Sequence, residues 1–158
     1  MRKVFGKTIT EIAEKDEKVY LLVADIGYGI FNDFREKFPK RFLNLGVCEQ
    51  SIIGIASGMA LQGLKPYVYT ITPFLIERAF EQIKLDINEQ KANVKLVGYA
   101  DYPRQGPTHK EIDAKWLMGR FQNIDSYFPK NSAETRKFIL ESYSKQRPAF
   151  ISLKKDES

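Results

Sequence analysis

Glu49 is an acidic residue placed where an apolar run gives way to a helical pattern. Residues 42–45 indicate a short buried strand, Gly46 interrupts it, and a helical pattern of apolar residues begins near Cys48. In α/β proteins, functional sites commonly lie at such strand ends. The apolar residues around Glu49 would leave its carboxyl group poorly solvated, which favours the protonated form and suits a group that transfers protons. The alternative is a first-turn glutamate that only complements the helix dipole.

The elements around Glu49 alternate between strands and helices. Predicted strands lie at residues 19–24, 42–45, 67–71, 94–100, near 124, and 149–153. Predicted helices lie at residues 5–15, within 31–39, from 48 to about 62, and at 75–90, 114–121 and 132–145. In the 75–90 helix we expect Ala79, Phe80, Ile83 and Ile87 to face inward, and Ser132 is expected to cap the last helix. The alternation predicts one α/β domain over residues 1–158, with a doubly wound, mainly parallel sheet and helices on both faces.

Composition narrows the class of protein. The chain has 158 residues, 43% of them hydrophobic and 28% charged, which is typical of a globular domain. The net charge is +5, but the basic residues are dispersed among acidic ones, so we do not expect nucleic acid binding. No apolar run approaches the ~20 residues of a membrane span. The single cysteine, Cys48, allows no internal disulfide, which suits the cytoplasm.

Residues 44–50, with the pattern N-x-G-V-x-E-Q, precede a helix rich in glycine and alanine. This segment resembles the pyrimidine-binding (Pyr) domain of transketolases, deoxyxylulose-phosphate synthases and the β-subunits of 2-oxo acid dehydrogenases. Asn44, Gly46, Glu49 and Gln50 carry the match. The resemblance implies that thiamine diphosphate is the cofactor and that Glu49 contacts N1′ of its aminopyrimidine. The carboxyl group would place the proton needed to activate C2 of the thiazolium ring.

Two further segments resemble the same family. Residues 73–82, PFLIERAFEQ, resemble the segment whose aromatic side chain stacks on the aminopyrimidine, and Phe74 is the candidate. Counting back from Arg78 places the stacking position at Leu75, so Phe74 fits it only with a one-residue shift in the turn. The alternative for Phe74 is ordinary core packing. Residues 106–113, GPTHKEID, resemble the GPTH motif of transketolases, which implies that His109 contacts substrate. The alternative for His109 is a solvated loop side chain.

Two positions match the family more weakly. Arg2, in the pattern R-x-x-F-G, resembles the arginine that holds a sugar phosphate; the alternative is a surface charge. Asp25, in VADIG, matches the family's acidic residue after the first strand, which implies that Asp25 is a cofactor-binding residue. The alternative for Asp25 is a loop residue that binds nearby amides.

Four positions depart from the family pattern. Gln105 stands in place of an aspartate, Ala100 of a histidine, Gly29 of a serine and Phe128 of an arginine. The cofactor half of the pattern is therefore kept, whereas most of the sugar-phosphate contacts are altered. This combination argues against an ordinary pentose-phosphate transketolase and favours a different or unphosphorylated ketose-like substrate.

The resemblance covers one of the family's three domains. The sequence has no G-D-G followed by an asparagine, the pattern that holds the diphosphate through Mg²⁺ in the family's companion domain. The resemblance therefore implies a companion subunit that carries the Mg²⁺ ligands, and Pyr domains that pair with each other. The small residues of the central helix (Gly54, Ala56, Gly58 and Ala60) suit such pairing or tight packing within the domain.

Several functions are compatible with this pattern. The leading prediction is transfer of a two-carbon ketol unit between sugars, by a split enzyme of which this chain is the Pyr half. A related carbon–carbon lyase or synthase step is the closest alternative. A Pyr-like module kept for assembly or regulation is a non-catalytic alternative. A flavodoxin-like nucleotide binder is disfavoured because the chain has no G-x-G-x-x-G or Walker pattern.

Overall fold

Six parallel strands form a single sheet in the computed structural model, which describes residues 1–103, 105–110 and 113–156. The strands are β1 (Val19–Val23), β2 (Phe42–Asn44), β3 (Lys65–Ile71), β4 (Lys95–Tyr99), β5 (Asp125–Tyr127) and β6 (Ala149–Leu153). Their order is β2-β1-β3-β4-β6-β5, and every pair of neighbours is parallel. From β1 the chain passes to β2 at one edge of the sheet. It then crosses to β3 on the other side of β1. The predicted doubly wound α/β fold is thereby confirmed.

Helices cover both faces of the sheet. Because strand residues alternate between faces, Leu21 belongs to one apolar cluster and Leu22 to the other. The helices α1 (Arg2–Ala13), α2 (Asn32–Lys37) and α6 (Ser132–Ser144) contribute to the first cluster. The helices α3 (Glu49–Leu61) and α5 (Ala114–Met118), with the helical segment 74–89, contribute to the second. Within the described residues, no helix is both long enough and apolar enough to cross a membrane.

The segment 74–89 differs from the predicted single helix. It consists of a π-helical turn (Phe74–Arg78), the short helix α4 (Phe80–Gln82) and a second π-helical stretch (Ile83–Glu89). The backbone leaves helical geometry at Ala79, where φ is −103° and ψ is 23°. A π-helical turn takes in one more residue than an α-helical turn, and such turns are frequent at functional sites.

The inward face of this segment was predicted correctly except at Phe80. Ala79, Ile83 and Ile87 are fully buried, whereas Phe80 is 37% exposed. Phe80 directly follows the break in helical geometry at Ala79, and its side chain lies outside the buried row formed by Ala79, Ile83 and Ile87. Its ring packs instead on the ring of Phe121, with 5.4 Å between centroids.

The cap of α6 is Asn131, so the prediction that Ser132 caps this helix was wrong. The Oδ1 atom of Asn131 accepts a hydrogen bond from the Glu134 backbone N–H at 2.9 Å. A cap residue needs an extended backbone, which Asn131 has with φ of −152° and ψ of 177°. Ser132 is already the first helical residue, so its side chain cannot take this role.

Lys95, at the amino end of β4, is a charged residue buried in the sheet. It is 2% exposed, and its Nζ donates to Asn93 Oδ1 at 2.6 Å and to the Lys145 carbonyl at 3.1 Å. Burial lowers the pKa of Lys95 from 10.5 to about 7. Burial also raises the pKa values of Tyr67 and Tyr69 well above the ordinary value for a tyrosine.

These shifts predict stability that rises from neutral to alkaline pH. Between about pH 7 and 10 the unfolded chain keeps the Lys95 proton and the folded chain releases it, so the free energy of unfolding increases by up to ~1.4 kcal/mol per pH unit. Above about pH 10 the unfolded tyrosines lose protons that the folded chain keeps, so stability falls again. Urea unfolding across this range measures the slope. Lys95→Met should remove the increase in the free energy of unfolding between pH 7 and 10. An equal slope in the wild type and the variant would show that Lys95 is not its cause.

Candidate functional site

The candidate residues lie together at the carboxyl edge of the sheet. Asp25 follows β1, Glu49 follows β2, Phe74 follows β3, and His109 lies in the loop after β4. The order of strands reverses between β1 and β3, and ligands of open α/β sheets bind outside the carboxyl ends of strands at such a point. Chain segments far apart in sequence therefore meet at one site.

Asn44 joins the ends of β1 and β2. Its Oδ1 accepts from the backbone N–H of Asp25 at 3.0 Å and from that of Gly46 at 3.2 Å. Its Nδ2 donates to Asp25 Oδ1 at 3.0 Å. Both bonded residues have left-handed backbones, with φ of 51° at Asp25 and 76° at Gly46. These three hydrogen bonds fix the turn that leads into α3. They also show that the Asp25 carboxylate binds the side-chain amide of Asn44.

Glu49 is the first residue of α3 and is only 3% exposed. Its Oε2 accepts from Arg78 Nη1 at 3.3 Å, whereas its Oε1 is buried and has no hydrogen-bond partner among the described residues. Buried polar atoms normally have partners, so an unpaired carboxyl oxygen marks a position where a ligand group can bind. A small recess of about 200 Å³, lined in part by Val47, Cys48 and Arg78, adjoins Glu49.

Phe74 faces the site, whereas Leu75 packs in the core. Leu75 is fully buried in the second apolar cluster, and Phe74 is half-buried. Phe74 begins the π-helical turn, in which the two neighbouring side chains enter these different surroundings. The Arg78 guanidinium lies over the Phe74 ring, with Cζ 3.3 Å from the ring centroid.

His109 packs against two aromatic rings. Its ring meets that of Phe74 edge-on with centroids 4.8 Å apart, and stacks on that of Tyr102 with centroids 5.7 Å apart. Thr108 Oγ1 lies 3.1 Å from His109 Nδ1. His109 is half-buried rather than fully solvated. Arg78 contacts both Glu49 and Phe74, and His109 packs against Phe74. The structure therefore brings Glu49, Phe74 and His109 together.

Arg2 lies at a second, larger cavity along the same edge. The cavity measures about 360 Å³, and its lining includes Arg2, Asp25, Asn32 and Arg35. The Arg2 guanidinium lies over the Tyr99 ring at 4.2 Å, and its Nε is 3.6 Å from Asp156 Oδ2. These contacts anchor Arg2, so it is not a free surface charge.

Sequence reasoning missed Arg78 and Tyr102 as site residues. Arg78 did carry a signal, because it stands four residues after Phe74 in a segment already singled out. Tyr102 had no signal beyond its place in the loop after β4. Of the positions that depart from the family pattern, Phe128 packs on Phe150 with centroids 5.9 Å apart. Among the described residues, no group of three or more His, Cys, Asp or Glu side chains could hold a metal ion.

Comparison with known proteins identifies the family. The transketolase pyrimidine-binding domain matches residues 1–158, the whole chain. The chain belongs to this family. Its six-stranded parallel sheet and the resemblance drawn from residues 44–50, 73–82 and 106–113 agree with that membership.

Two relatives illustrate the range of the family. One subunit of the apulose-4-phosphate transketolase of Actinobacillus succinogenes is 38% identical over 123 residues, which cover 76% of this chain and 40% of that protein. The 1-deoxy-D-xylulose-5-phosphate synthase of Oleidesulfovibrio alaskensis is 33% identical over 158 residues, covering 94% of this chain and 24% of that protein. The chain thus spans less than half the length of both relatives.

Solved structures agree with the fold. A split-gene transketolase, described as an inactive beta4 tetramer, has a TM-score of 0.88 and 31% identity, over 98% of this chain and 50% of that one. The transketolase of Campylobacter jejuni has a TM-score of 0.85 over 97% of this chain. At 19% identity, this second likeness shows the fold alone.

Proposed function

We propose that this chain is the Pyr-domain subunit of a split, thiamine diphosphate-dependent, transketolase-like enzyme. The observation that carries the proposal is the buried carboxyl group of Glu49, whose Oε1 lacks a partner among the described residues and whose Oε2 is joined through Arg78 to the ring of Phe74. An aminopyrimidine needs an aromatic face to stack on and a carboxyl group at its edge. These residues therefore fit the ring of the cofactor.

When bound, thiamine diphosphate supplies the carbon nucleophile that attacks a carbonyl group. Glu49, buried at the start of α3, would hold a proton for N1′ of the aminopyrimidine. Phe74 stacks on the ring and orients it. Asp25, fixed by Asn44, holds the loop on the cofactor side of the site. The Mg²⁺ that carries the diphosphate would take its ligands from the companion subunit.

The substrate would bind at His109 and Arg2. The half-buried imidazole of His109 suits contact with a sugar hydroxyl, and the anchored guanidinium of Arg2 suits an anionic or polar end of the substrate. The leading reaction is transfer of a two-carbon ketol unit between sugars, because a relative is named a transketolase subunit. A carbon–carbon synthase step is the alternative, since another relative is a synthase. We place the enzyme in the cytoplasm because its single cysteine needs no oxidising compartment.

Assembly with a companion subunit is the decisive test of this function. The chain alone, given thiamine diphosphate, Mg²⁺ and a ketose donor, should show no turnover, and addition of the companion subunit should restore it. Turnover by the chain alone would contradict a split enzyme. An assembled complex that binds the cofactor but transforms no ketose or 2-oxo acid would instead indicate the assembly or regulatory module.

His109→Ala should weaken substrate use while leaving cofactor binding nearly intact. Loss of one hydrogen bond to substrate corresponds to roughly 1–3 kcal/mol, or about 5- to 150-fold in kcat/KM. Steady-state kinetics of the assembled enzyme and a cofactor titration measure the two effects. Lys110→Ala, at the exposed neighbouring position, is the matched control. Unchanged kinetics in the His109 variant would return this residue to a purely structural role.

The outer face of α3 is the proposed surface for self-association. Within the described part of the chain, a Cβ atom added at Gly54 or Gly58 would meet no atom within 4 Å, and the nearby side chains of Ile55 and Leu61 are exposed. Such a flat, partly apolar face allows another helix to approach closely. The tetramer of the related split-gene transketolase supports this proposal.

Gly58→Leu should weaken self-association without unfolding the domain. Leucine has room at this position within one chain and is a better helix former than glycine, so the free energy of unfolding should stay equal or increase. Sedimentation should show a dissociation constant raised at least ~10-fold, which is about 1.4 kcal/mol. Lys137→Leu, on α6 at the opposite face of the sheet, is the control. Equal association of both variants would exclude this face.

A further inference from the structure

We propose that Arg78 is an internal ligand of the aminopyrimidine site, which it occupies in the free chain and must leave when cofactor enters. The inference rests on the proposed function, because it concerns the same cleft between Phe74 and Glu49. It adds a role for a residue of this chain that the sequence comparison did not assign. Arg78 acts through Glu49 and Phe74, so it is a positioning residue.

The contacts of Arg78 match those that an aminopyrimidine requires. Its planar guanidinium covers the Phe74 ring with Cζ 3.3 Å from the centroid, a stacking distance. From the same position its Nη1 reaches Glu49 Oε2 at 3.3 Å. A flat ring that stacks on this face and bonds to the same carboxyl group needs the space that the guanidinium fills. Arg78 and the cofactor ring therefore compete.

The Phe74 ring contacts two side chains that differ in their freedom to move. His109 packs edge-on against the ring, with centroids 4.8 Å apart, and is stacked in turn on Tyr102. Arg78 is partly exposed at the end of the π-helical turn, and its long side chain can swing into solvent without moving the backbone. Displacement of Arg78 thus requires a rotamer change only.

The departure of Arg78 would leave Glu49 without its ionic partner. A buried charged group without a partner destabilises the fold, so another group must then bind the carboxyl oxygens. Among the described residues that line the recess, Arg78 is the charged partner of Glu49, whereas the Cys48 thiol donates to the Leu45 carbonyl at 3.0 Å. The entering ring would therefore take over the contact with Glu49 that Arg78 gives up.

Unfolding of the free chain tests the first half of this inference. Arg78→Ala should raise the unfolding equilibrium constant at least ~10-fold, because it leaves the buried Glu49 carboxyl group unpaired. Adding Glu49→Gln to Arg78→Ala should recover most of this loss. Arg120→Ala, which removes a guanidinium stacked on Trp116, is the matched control. A loss of stability in the Arg78 variant no larger than that in the control would overturn the coupling between Arg78 and Glu49.

Calorimetric titration of the assembled complex with thiamine diphosphate and Mg²⁺ tests the second half. If Arg78 occupies the cleft about nine-tenths of the time, the Arg78→Ala complex should bind the cofactor with a Kd about 10-fold lower than that of the wild type.

The outcomes separate this inference from the function on which it rests. Cofactor binding with the same Kd in both complexes would overturn the role of Arg78 and leave the proposed function standing. Weaker binding by the variant would also overturn it, because Arg78 would then contact the cofactor. A wild-type complex that binds no thiamine diphosphate would overturn the proposed function itself.

Discussion

Glu49→Gln should reduce the activity of the assembled enzyme by about 10²–10⁴-fold, the usual contribution of a positioned acid or base. Glutamine has nearly the same shape, and its carbonyl oxygen can still accept the hydrogen bond from Arg78 Nη1. It cannot hold or transfer a proton. The variant should therefore fold, assemble and bind thiamine diphosphate, while the step that depends on proton placement fails.

Deuterium exchange at C2 of the bound cofactor measures that step directly. Exchange should be slow in the Glu49→Gln complex and fast in the wild type. If Glu49 only complemented the helix dipole, its replacement would lower stability by ~0.3–1 kcal/mol and leave exchange unchanged. Glu134→Gln, a first-turn glutamate of α6, is the control for that behaviour. Wild-type exchange in the Glu49 variant would refute the catalytic role of this residue.

Gly27→Ala should destabilise the domain by roughly 2–5 kcal/mol, because two penalties add at this position of the loop after β1. Gly27 has φ of +93°, a left-handed conformation that costs other residues about 1–2 kcal/mol. An added Cβ would overlap Cε2 of Phe31 and lie 2.6 Å from its Cδ2. The Phe31 ring cannot move aside easily, because it packs against Tyr69 at 4.9 Å and Phe5 at 5.6 Å between centroids.

Two further variants separate these penalties in urea unfolding. Gly29 has φ of +75° but no atom within 4 Å of an added Cβ, so Gly29→Ala should show the backbone penalty alone. Phe31→Leu should relieve the overlap, so the double variant with Gly27→Ala should lose less stability than the sum of the single variants. Equal losses for the Gly27 and Gly29 variants would show that Phe31 does not restrict this loop.

Local patterns in the amino-acid sequence were enough to predict the class of fold and the edge of the sheet at which the candidate residues lie. Continuous apolar runs and helical periodicity are local properties, so they indicated the strands and most helices. A parallel sheet puts the carboxyl ends of its strands at one edge, and residues predicted at different strand ends, such as Glu49 and Phe74, therefore met there. Family membership followed from short motifs at these same strand ends.

The interactions among the site residues depended instead on how the helices pack on the sheet. The pairs Arg78–Glu49 and Asn44–Asp25 join residues 29 and 19 positions apart, and no local pattern indicates such pairing. The π-helical turn at Phe74 differs from an α-helical one by a single residue per turn, and tertiary contacts select between the two. That choice placed Leu75 in the core, exposed Phe80 and set Arg78 over the ring of Phe74, because the row of side chains facing the sheet is fixed by burial of the whole segment.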